Sequence, residues 1–201
     1  MLRFDAVPES VRILLLRLAS HEALEDFALG GGTSLALRFG HRVSVDLDFF
    51  TTHEFSPEEL CGGLGLEEAT IVGRAKNTLT VDAGGVKLDF LRHAYQLLQP
   101  VEQMDGVTLV SLQDLAAMKL NAIANRGSKK DFFDLAVLLD HFALQQMIGF
   151  FSAKYPATDP FAVIQSLAWF DDAEMEPDPV SLTGATWEWV KARASDAVAG
   201  L

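Results

Sequence analysis

The chain of 201 residues carries 28 acidic and 16 basic side chains, a formal net charge of −12, and 49% hydrophobic residues. That hydrophobic share excludes a disordered chain, and the length suits one large domain or two small ones with an ordinary core. An acidic body argues against a nucleic-acid coat or scaffold protein, but the charge is uneven: nine acids meet three bases from Asp140 onward, while Ser111 to Asp134 has four bases against three acids.

No apolar run reaches membrane-spanning length; the best, from Val11, is interrupted by Arg17. The N-terminus lacks a signal-peptide pattern, and the single Cys61 cannot form an internal disulfide. Together these features lead to the expectation of a cytoplasmic protein with no membrane partner.

Val11, Leu14, Leu15 and Leu18 recur at helical spacing and predict a helix from about Ser10 to Glu25. Gly30 to Gly32 form a turn, after which Thr33 can cap a short helix that Gly40 ends. The next stretch predicts a strand over Val43 to Phe50, with Val43, Val45, Leu47 and Phe49 on one face and Ser44, Asp46 and Asp48 on the other. Ser56 and Pro57 open another helix. Ala69 to Val72 reads as a strand, and Thr78 to Leu91 as a hairpin turning at Ala83-Gly84-Gly85, with Lys87 and Asp89 sharing one face of its second arm.

From Ser111 the pattern becomes helical. Ser111-Leu-Gln-Asp opens a helix through Asn125, which Arg126-Gly127 breaks. Ser128-Lys-Lys-Asp opens a longer helix through about Gln146. A third helix lies within Phe161 to Phe170, and a last one starts near Trp187. The fold class is therefore α+β: a mixed sheet with flanking helices over residues 1–110, then a helical domain over 111–201 expected to close a nucleotide cleft.

Two aspartates one residue apart on a strand point to the same side, roughly 7 Å apart along the backbone. Like charges that close repel unless a cation bridges them, and hard oxygen ligands suit Mg²⁺. Asp89, a hairpin away, is the candidate third carboxylate of a site for two metal ions. The Gly-rich turn entering a helix offers free backbone N–H groups and the positive end of the helix dipole, and Thr33 and Ser34 add hydroxyls: a phosphate cradle. In the helical half, Lys119 and Arg126 lie two turns apart on a similar face, and Asp131 and Asp134 share a face of the next helix. These last residues also suit a merely solvated surface, on which Asp134 would pair with Lys130 and truncating Lys119 would cost within about 0.5 kcal/mol. His41 reads as a turn residue, and His93 and His141 lack zinc-ligand spacing.

These residues resemble a known pattern. Gly31-Gly32-Thr33-Ser34-Leu35, followed by Arg42-Val43-Ser44-Val45-Asp46-Leu47-Asp48, is similar to the signature of the DNA polymerase β-like nucleotidyltransferase superfamily. With Lys119, Arg126 and Lys130-Asp131-Phe132-Phe133-Asp134, it resembles more closely the AbiEii/AbiGii toxin family of bacterial nucleotidyltransferases. The resemblance spans roughly Phe27 to Leu139, and Lys130 stands where that family usually has Arg. It implies that Asp46 and Asp48 hold Mg²⁺, with Asp89 as third ligand or general base. It implies that Gly31, Gly32, Thr33 and Ser34 hold the triphosphate of an NTP, and that Lys119 neutralises phosphate charge. Arg42, Ser44, Arg126, Lys129, Asp131 and Asp134 would lie at the nucleotide. It further implies a toxin that transfers NMP to an acceptor hydroxyl, with a cognate antitoxin as partner; the resemblance favours tRNA or another RNA as acceptor, the acidic surface a protein or small molecule. Arg38, Arg42, Arg74, Lys76, Lys119, Arg126, Lys129 and Lys130 could build a basic face for RNA. The alternatives are a non-catalytic nucleotide-binding interaction module and a metal-dependent phosphohydrolase using the same carboxylates.

Overall fold

A computed structural model describes residues 1–66 and 69–201, which divide into two compact units. The first comprises Met1–Arg38, Ser44–Gln96 and Pro100–Val110; the second comprises Phe39–Val43, Leu97–Gln99 and Ser111–Leu201. The first unit is α+β and the second holds the C-terminal helices, the fold class that the sequence predicts.

In the α+β unit, helix α1 (Glu9–Ala19) buries Val11, Leu14, Leu15 and Leu18, the residues of its apolar stripe. It ends earlier than expected: Ser20 closes it, and the His21 side chain then caps a 3₁₀ turn, Glu22–Leu24. Strand β1 (Ala28–Leu29) leads into α2 (Gly31–Phe39), β2 (Leu47–Thr51), α3 (Pro57–Gly63), β3 (Thr70–Ala75), β4 (Thr78–Asp82), β5 (Lys87–Arg92), β6 (Glu102–Met104) and β7 (Val107–Leu109). The sheet order is β3-β4-β5-β2-β1-β7-β6; β2–β5 and β1–β7 are parallel and the remaining neighbours antiparallel. Ser56 caps α3 through the Glu59 amide with Pro57 at the first helical position, as the sequence indicates. The core includes Leu47, Phe49, Leu79, Val81, Leu88 and Phe90 from the central strands. Phe49 stacks on Phe90 at 5.4 Å between ring centroids, and Phe27 meets Phe90 edge-on at 6.0 Å.

The predicted strand Val43 to Phe50 is corrected in its first half. Ladder pairing starts at Leu47, and Val45, expected in the core, is 52% exposed, while Ser44 is buried. The reason lies in the hydrogen bonds: the Ser44 amide donates to the Ala6 carbonyl at 2.9 Å rather than to a neighbouring strand. Four residues of apolar-polar alternation are not a strand where no ladder partner satisfies the backbone.

The helical unit contains α4 (Leu112–Arg126), α5 (Lys129–Leu138), α6 (Leu144–Lys154), α7 (Pro160–Ser166), α8 (Asp171–Glu174) and α9 (Trp187–Ala199). Ser111 caps α4 through the Asp114 amide, and Gly127 ends it in the left-handed region at φ +55°. The long helix expected from Ser128 to about Gln146 is two helices. α5 stops at Leu138, and α6 restarts with the Ala143 amide donating to the Gln146 side chain at 2.9 Å. Phe132, Phe151, Met147, Leu120 and Leu138 fill the core of this unit, and Phe132 meets Trp187 edge-on at 5.7 Å.

Charge is buried here as well. Asp134 is wholly buried: its Oδ1 accepts from Arg42 Nε at 2.7 Å and lies 2.8 Å from His41 Nε2, and its Oδ2 accepts from Arg42 Nη2 at 2.9 Å. Lys119, 5% exposed, places Nζ 2.7 Å from both Asp134 Oδ2 and Asp131 Oδ1. Arg126 adds two bonds to Asp131, Nε to Oδ2 at 2.7 Å and Nη2 to Oδ1 at 2.8 Å. Burial pushes the Asp134 carboxyl up, but the charges of Arg42 and Lys119 outweigh it and hold the group well below the usual carboxylate range. Asp131 is likewise pushed up by burial and brought below its ordinary value by Lys119 and Arg126. Asp114, on α4, forms a second centre. It accepts from Lys154 Nζ at 2.6 Å and from the Leu98 and Gln99 amides, tying Leu97–Gln99 to this unit.

The solvated-face reading of these helices is therefore corrected. Asp134 is bound to Arg42 instead of facing solvent, and His41 is a buried hydrogen-bond partner instead of a turn residue. Asp134→Asn is expected to destabilise the protein by about 3–5 kcal/mol at pH 7, because Arg42 and Lys119 are left beside a neutral amide. Lys119→Ala is expected to cost several times the ~0.5 kcal/mol of a surface change. Since the folded Asp134 carboxyl titrates below its unfolded value, its contribution is complete above about pH 4 and is lost as pH falls toward the folded value. Urea unfolding of wild type and Asp134→Asn between pH 7 and pH 3 checks both statements: the gap should be large at neutral pH and narrow in acid.

Candidate functional site

The parallel register of β2 and β5 sets Asp48 opposite Asp89, so the two carboxylates stand on one face of adjacent strands. Asp46 lies one residue before β2, and its backbone is held from α2: Thr33 Oγ1 donates a short hydrogen bond to the Asp46 carbonyl. The same hydroxyl shares a 2.7 Å bond with Ser44 Oγ. The Gly-rich turn sits against the acids. The Gly30 amide donates to the Asp48 carbonyl at 2.8 Å. Gly31 has φ +61°, and a Cβ built on it would overlap Asp48 Oδ2. Glycine is required there twice, for the left-handed backbone and for the space the carboxylate takes.

Asp89 is held on both oxygens. Thr80, its register partner on β4, places Oγ1 2.5 Å from Oδ1, and Lys87 Nζ lies 2.6 Å from Oδ2. The hydrogen bond to Asp89 raises the Lys87 ammonium above its ordinary value; the charges of Asp89, Asp46 and Asp48 push in the same direction. Sequence reasoning left Thr80 and Lys87 out of the site. The available signals were their places in the hairpin: Lys87 two residues before Asp89 on the same strand face, and Thr80 opposite it across the turn.

The residues fit a hard divalent cation in chemistry. Strand pairing sets the Asp48 and Asp89 carboxylates side by side, Asp46 lies two residues before Asp48, and all three charges act on the Lys87 ammonium. A ready-made coordination shell is a different matter. Among the described residues no three acidic, cysteine or imidazole groups converge in ligating geometry, and Asp89 accepts one bond on each oxygen, from Thr80 and from Lys87.

Several other expected site residues are placed differently from their predicted roles. The Thr33 and Ser34 side chains, expected to face phosphate, are buried; Thr33 bonds inward, and Ser34 Oγ has no hydrogen-bond partner. What the start of α2 presents instead is backbone at the half-buried Gly31 and Gly32. Ser44 is buried against Thr33. Lys119, Asp131, Asp134 and Arg42 form the buried cluster of the helical unit, where two of the three Lys119 N–H donors meet Asp131 and Asp134. Arg126, with 57% of its side chain exposed, is that cluster's outward member. Lys129 is buried, with Nζ 2.9 Å from Asp178 and 5.1 Å from the centre of the Trp187 ring. The expected basic face is thinned by the same pairing: Arg38 binds Glu102 and the Val110 carbonyl, Arg74 meets Glu58, and Lys76 meets Glu54. No helix among the described residues is long and apolar enough to cross a membrane.

Comparison with known proteins agrees with this geometry. The family model described as nucleotidyl transferase AbiEii toxin, type IV toxin–antitoxin system, matches residues 13–188. An uncharacterized protein of Aquifex aeolicus (strain VF5) is 35% identical over 172 residues, covering 82% of this chain and 84% of that protein. Among solved structures, JHP933 from Helicobacter pylori superposes with a TM-score of 0.60 at 15% identity, covering 96% of this chain and 92% of its own. MenT4, a nucleotidyltransferase toxin from Mycobacterium tuberculosis H37Rv, gives a TM-score of 0.60 at 16% identity, with 96% and 85% covered. At such identities the likeness to these two structures is one of fold, and it is the family match along most of the chain that decides membership. The chain is a nucleotidyltransferase belonging to the AbiEii toxin family of type IV toxin–antitoxin systems.

Proposed function

We propose that the protein transfers a nucleoside monophosphate from an NTP to an acceptor hydroxyl and releases pyrophosphate, with the α+β unit carrying the chemistry. The observation behind this reading is the placing of Asp48 beside both Asp89 and Gly31. Asp46, Asp48 and Asp89 would hold Mg²⁺, two ions in the full site. When bound, Mg²⁺ supplies neutralising charge to the triphosphate and aligns the attacking and leaving oxygens.

The remaining roles belong to the chain. Backbone N–H groups of Gly31 and Gly32, at the positive end of the α2 dipole, receive triphosphate oxygens. Thr80 aims Asp89 by holding Oδ1. Lys87, its Nζ 2.6 Å from Asp89 Oδ2, would neutralise phosphate charge beside the carboxylates. Asp89 is also placed to accept the proton of the acceptor hydroxyl. Thr33 and Ser44 fix the Asp46 backbone. In the helical unit, Asp131 holds Arg126 through two hydrogen bonds and is itself held by Lys119. The family's type IV setting supports a toxin role and a cognate antitoxin, and an RNA end such as that of a tRNA is the acceptor proposed for it.

Incubation of the full chain with each α-³²P-labelled NTP, Mg²⁺ and total RNA tests the reading. Labelled RNA with release of pyrophosphate is expected. Release of inorganic phosphate without labelled product would identify a phosphohydrolase, and Mg²⁺–NTP binding without turnover an interaction module. Asp46→Asn and Asp48→Asn are each expected to lower transfer by on the order of 10²–10³-fold. Their thermal stability should hold or rise slightly, since a like charge is removed.

Thr80→Val is expected to weaken Mg²⁺ affinity by about 10–100-fold, as loss of a ligand's hydrogen-bond partner does, while Thr80→Ser keeps it. Titration of Mn²⁺ into the NTP-free protein, followed by electron paramagnetic resonance, measures this apart from turnover. Gly31→Ala is expected to cost about 1–2 kcal/mol of stability from its left-handed backbone alone. It should abolish transfer as well, because the new methyl displaces the Asp48 carboxylate; thermal melts and the labelling assay read the two effects separately.

A further inference from the structure

The sheet face that carries the carboxylates continues past them in aromatic rings. Residues two apart along a strand share a side, so Phe50 stands on the face of Asp48, and Leu91 and His93 stand on that of Asp89. On that face the pair Phe50–Leu91 follows the pair Asp48–Asp89, about 7 Å on. His93 prolongs the pairing of β5 with β2: its amide donates to the Thr51 carbonyl at 2.7 Å. Its ring meets Phe50 edge-on, 6.1 Å between centroids, and lies 5.1 Å from the Tyr95 ring at a tilt of 48°. All of these residues belong to the α+β unit.

The row is set into the fold at one end and open at the other. A Cβ on Gly30 would stand 2.6 Å from Phe50 Cδ2, so the Phe50 ring takes the space of a side chain beside the Gly-rich turn. Phe50 and His93 are half-buried, while Tyr95, in the bend after β5, is 46% exposed. Open aromatic rings are surfaces on which nucleic-acid bases stack, a contact that every base can make. Charge gives RNA little to hold on this unit. The chain has a net charge of −12, and Arg74 and Lys76 already meet Glu58 and Glu54. Stacking supplies affinity without neutralising phosphates.

We propose that Phe50, His93 and Tyr95 form a stacking platform for the last two bases of a single-stranded RNA acceptor. The inference rests on the transferase reading above, in which Asp89 takes the proton of the acceptor hydroxyl. The platform prolongs the strand of Asp89, so a chain end with its hydroxyl at that carboxylate runs its bases along His93 and out to Tyr95. The NTP is held differently, by its phosphates at Gly31 and Gly32. The rings select a nucleic-acid end with unpaired bases and are indifferent to which bases those are.

Two fluorescein-labelled RNA hexamers test the platform on the full chain without NTP: one intact, the other abasic at its last two positions. By fluorescence anisotropy the wild type is expected to bind the intact hexamer about 10-fold more tightly. Tyr95→Ala should weaken the intact hexamer by about 10-fold and leave the abasic one unchanged, with an unaltered melting temperature because the side chain is exposed. Tyr95→Phe should keep the preference. In the labelling assay Tyr95→Ala should raise KM for RNA and leave KM for NTP as it was. Equal affinity of the wild type for the two hexamers, binding of neither, equal weakening of both by Tyr95→Ala, or a raised KM for NTP in place of RNA would each overturn the proposal. A wild type that prefers the intact hexamer but labels no RNA would overturn the transferase reading and leave the platform standing.

Discussion

Asp134 has no contact with water, yet it is ionised, and it stays so because Arg42, Lys119 and His41 surround it. A carboxylate moved into a protein interior costs several kcal/mol unless a cation and hydrogen bonds go with it. That requirement recurs through the molecule. Asp131 takes Lys119 and Arg126, Asp114 takes Lys154 with two backbone amides, and Asp89 takes Lys87 and Thr80. With 28 acids and 16 bases in the chain, lysines and arginines that a sequence reader assigns to ligand are in large part already committed to carboxylates.

Asp89 and Asp134 meet the same requirement to different ends. Asp134 is closed on every side by groups that cannot leave without exposing charge, and such a cluster serves as a rigid mount. Asp89 is held by a lysine whose side chain is half exposed and by a hydroxyl. The lysine contact is one that solvent weakens and a stronger cation can replace. The two carboxylates thus differ in how exchangeable their partners are.

Features encoded by local chemistry were legible in the sequence. Ser111 and Ser56 cap their helices, Gly127 and Gly40 take the left-handed region, and the Ala83-Gly84-Gly85 turn joins β4 to β5. The Gly-Gly turn and the aspartate pair were legible too, because both depend on spacing within one short segment. What escaped depends on distant partners. Val43 to Asp46 alternates like a strand but bonds to Ala6 and the Val180 backbone, which no window of the sequence displays. The α5–α6 break has neither Gly nor Pro to announce it. β6 and β7 are three residues each, too short for a period to register. Lys119 looked like a ligand because burial by Asp131 and Asp134 is a property of packing between helices.

The division of the chain into units has a further consequence for modularity. Phe39–Val43, far from Ser111 in the sequence, belongs to the helical unit and delivers Arg42 and His41 to Asp134. A fragment beginning at Ser111 would keep the buried carboxylates and lose a guanidinium and an imidazole that balance them. The helical unit is therefore not transferable by cutting the chain once. In evolution it must travel with the strand-side loop that compensates it, so gene fusion or exchange at the obvious midpoint would be selected against by electrostatics alone.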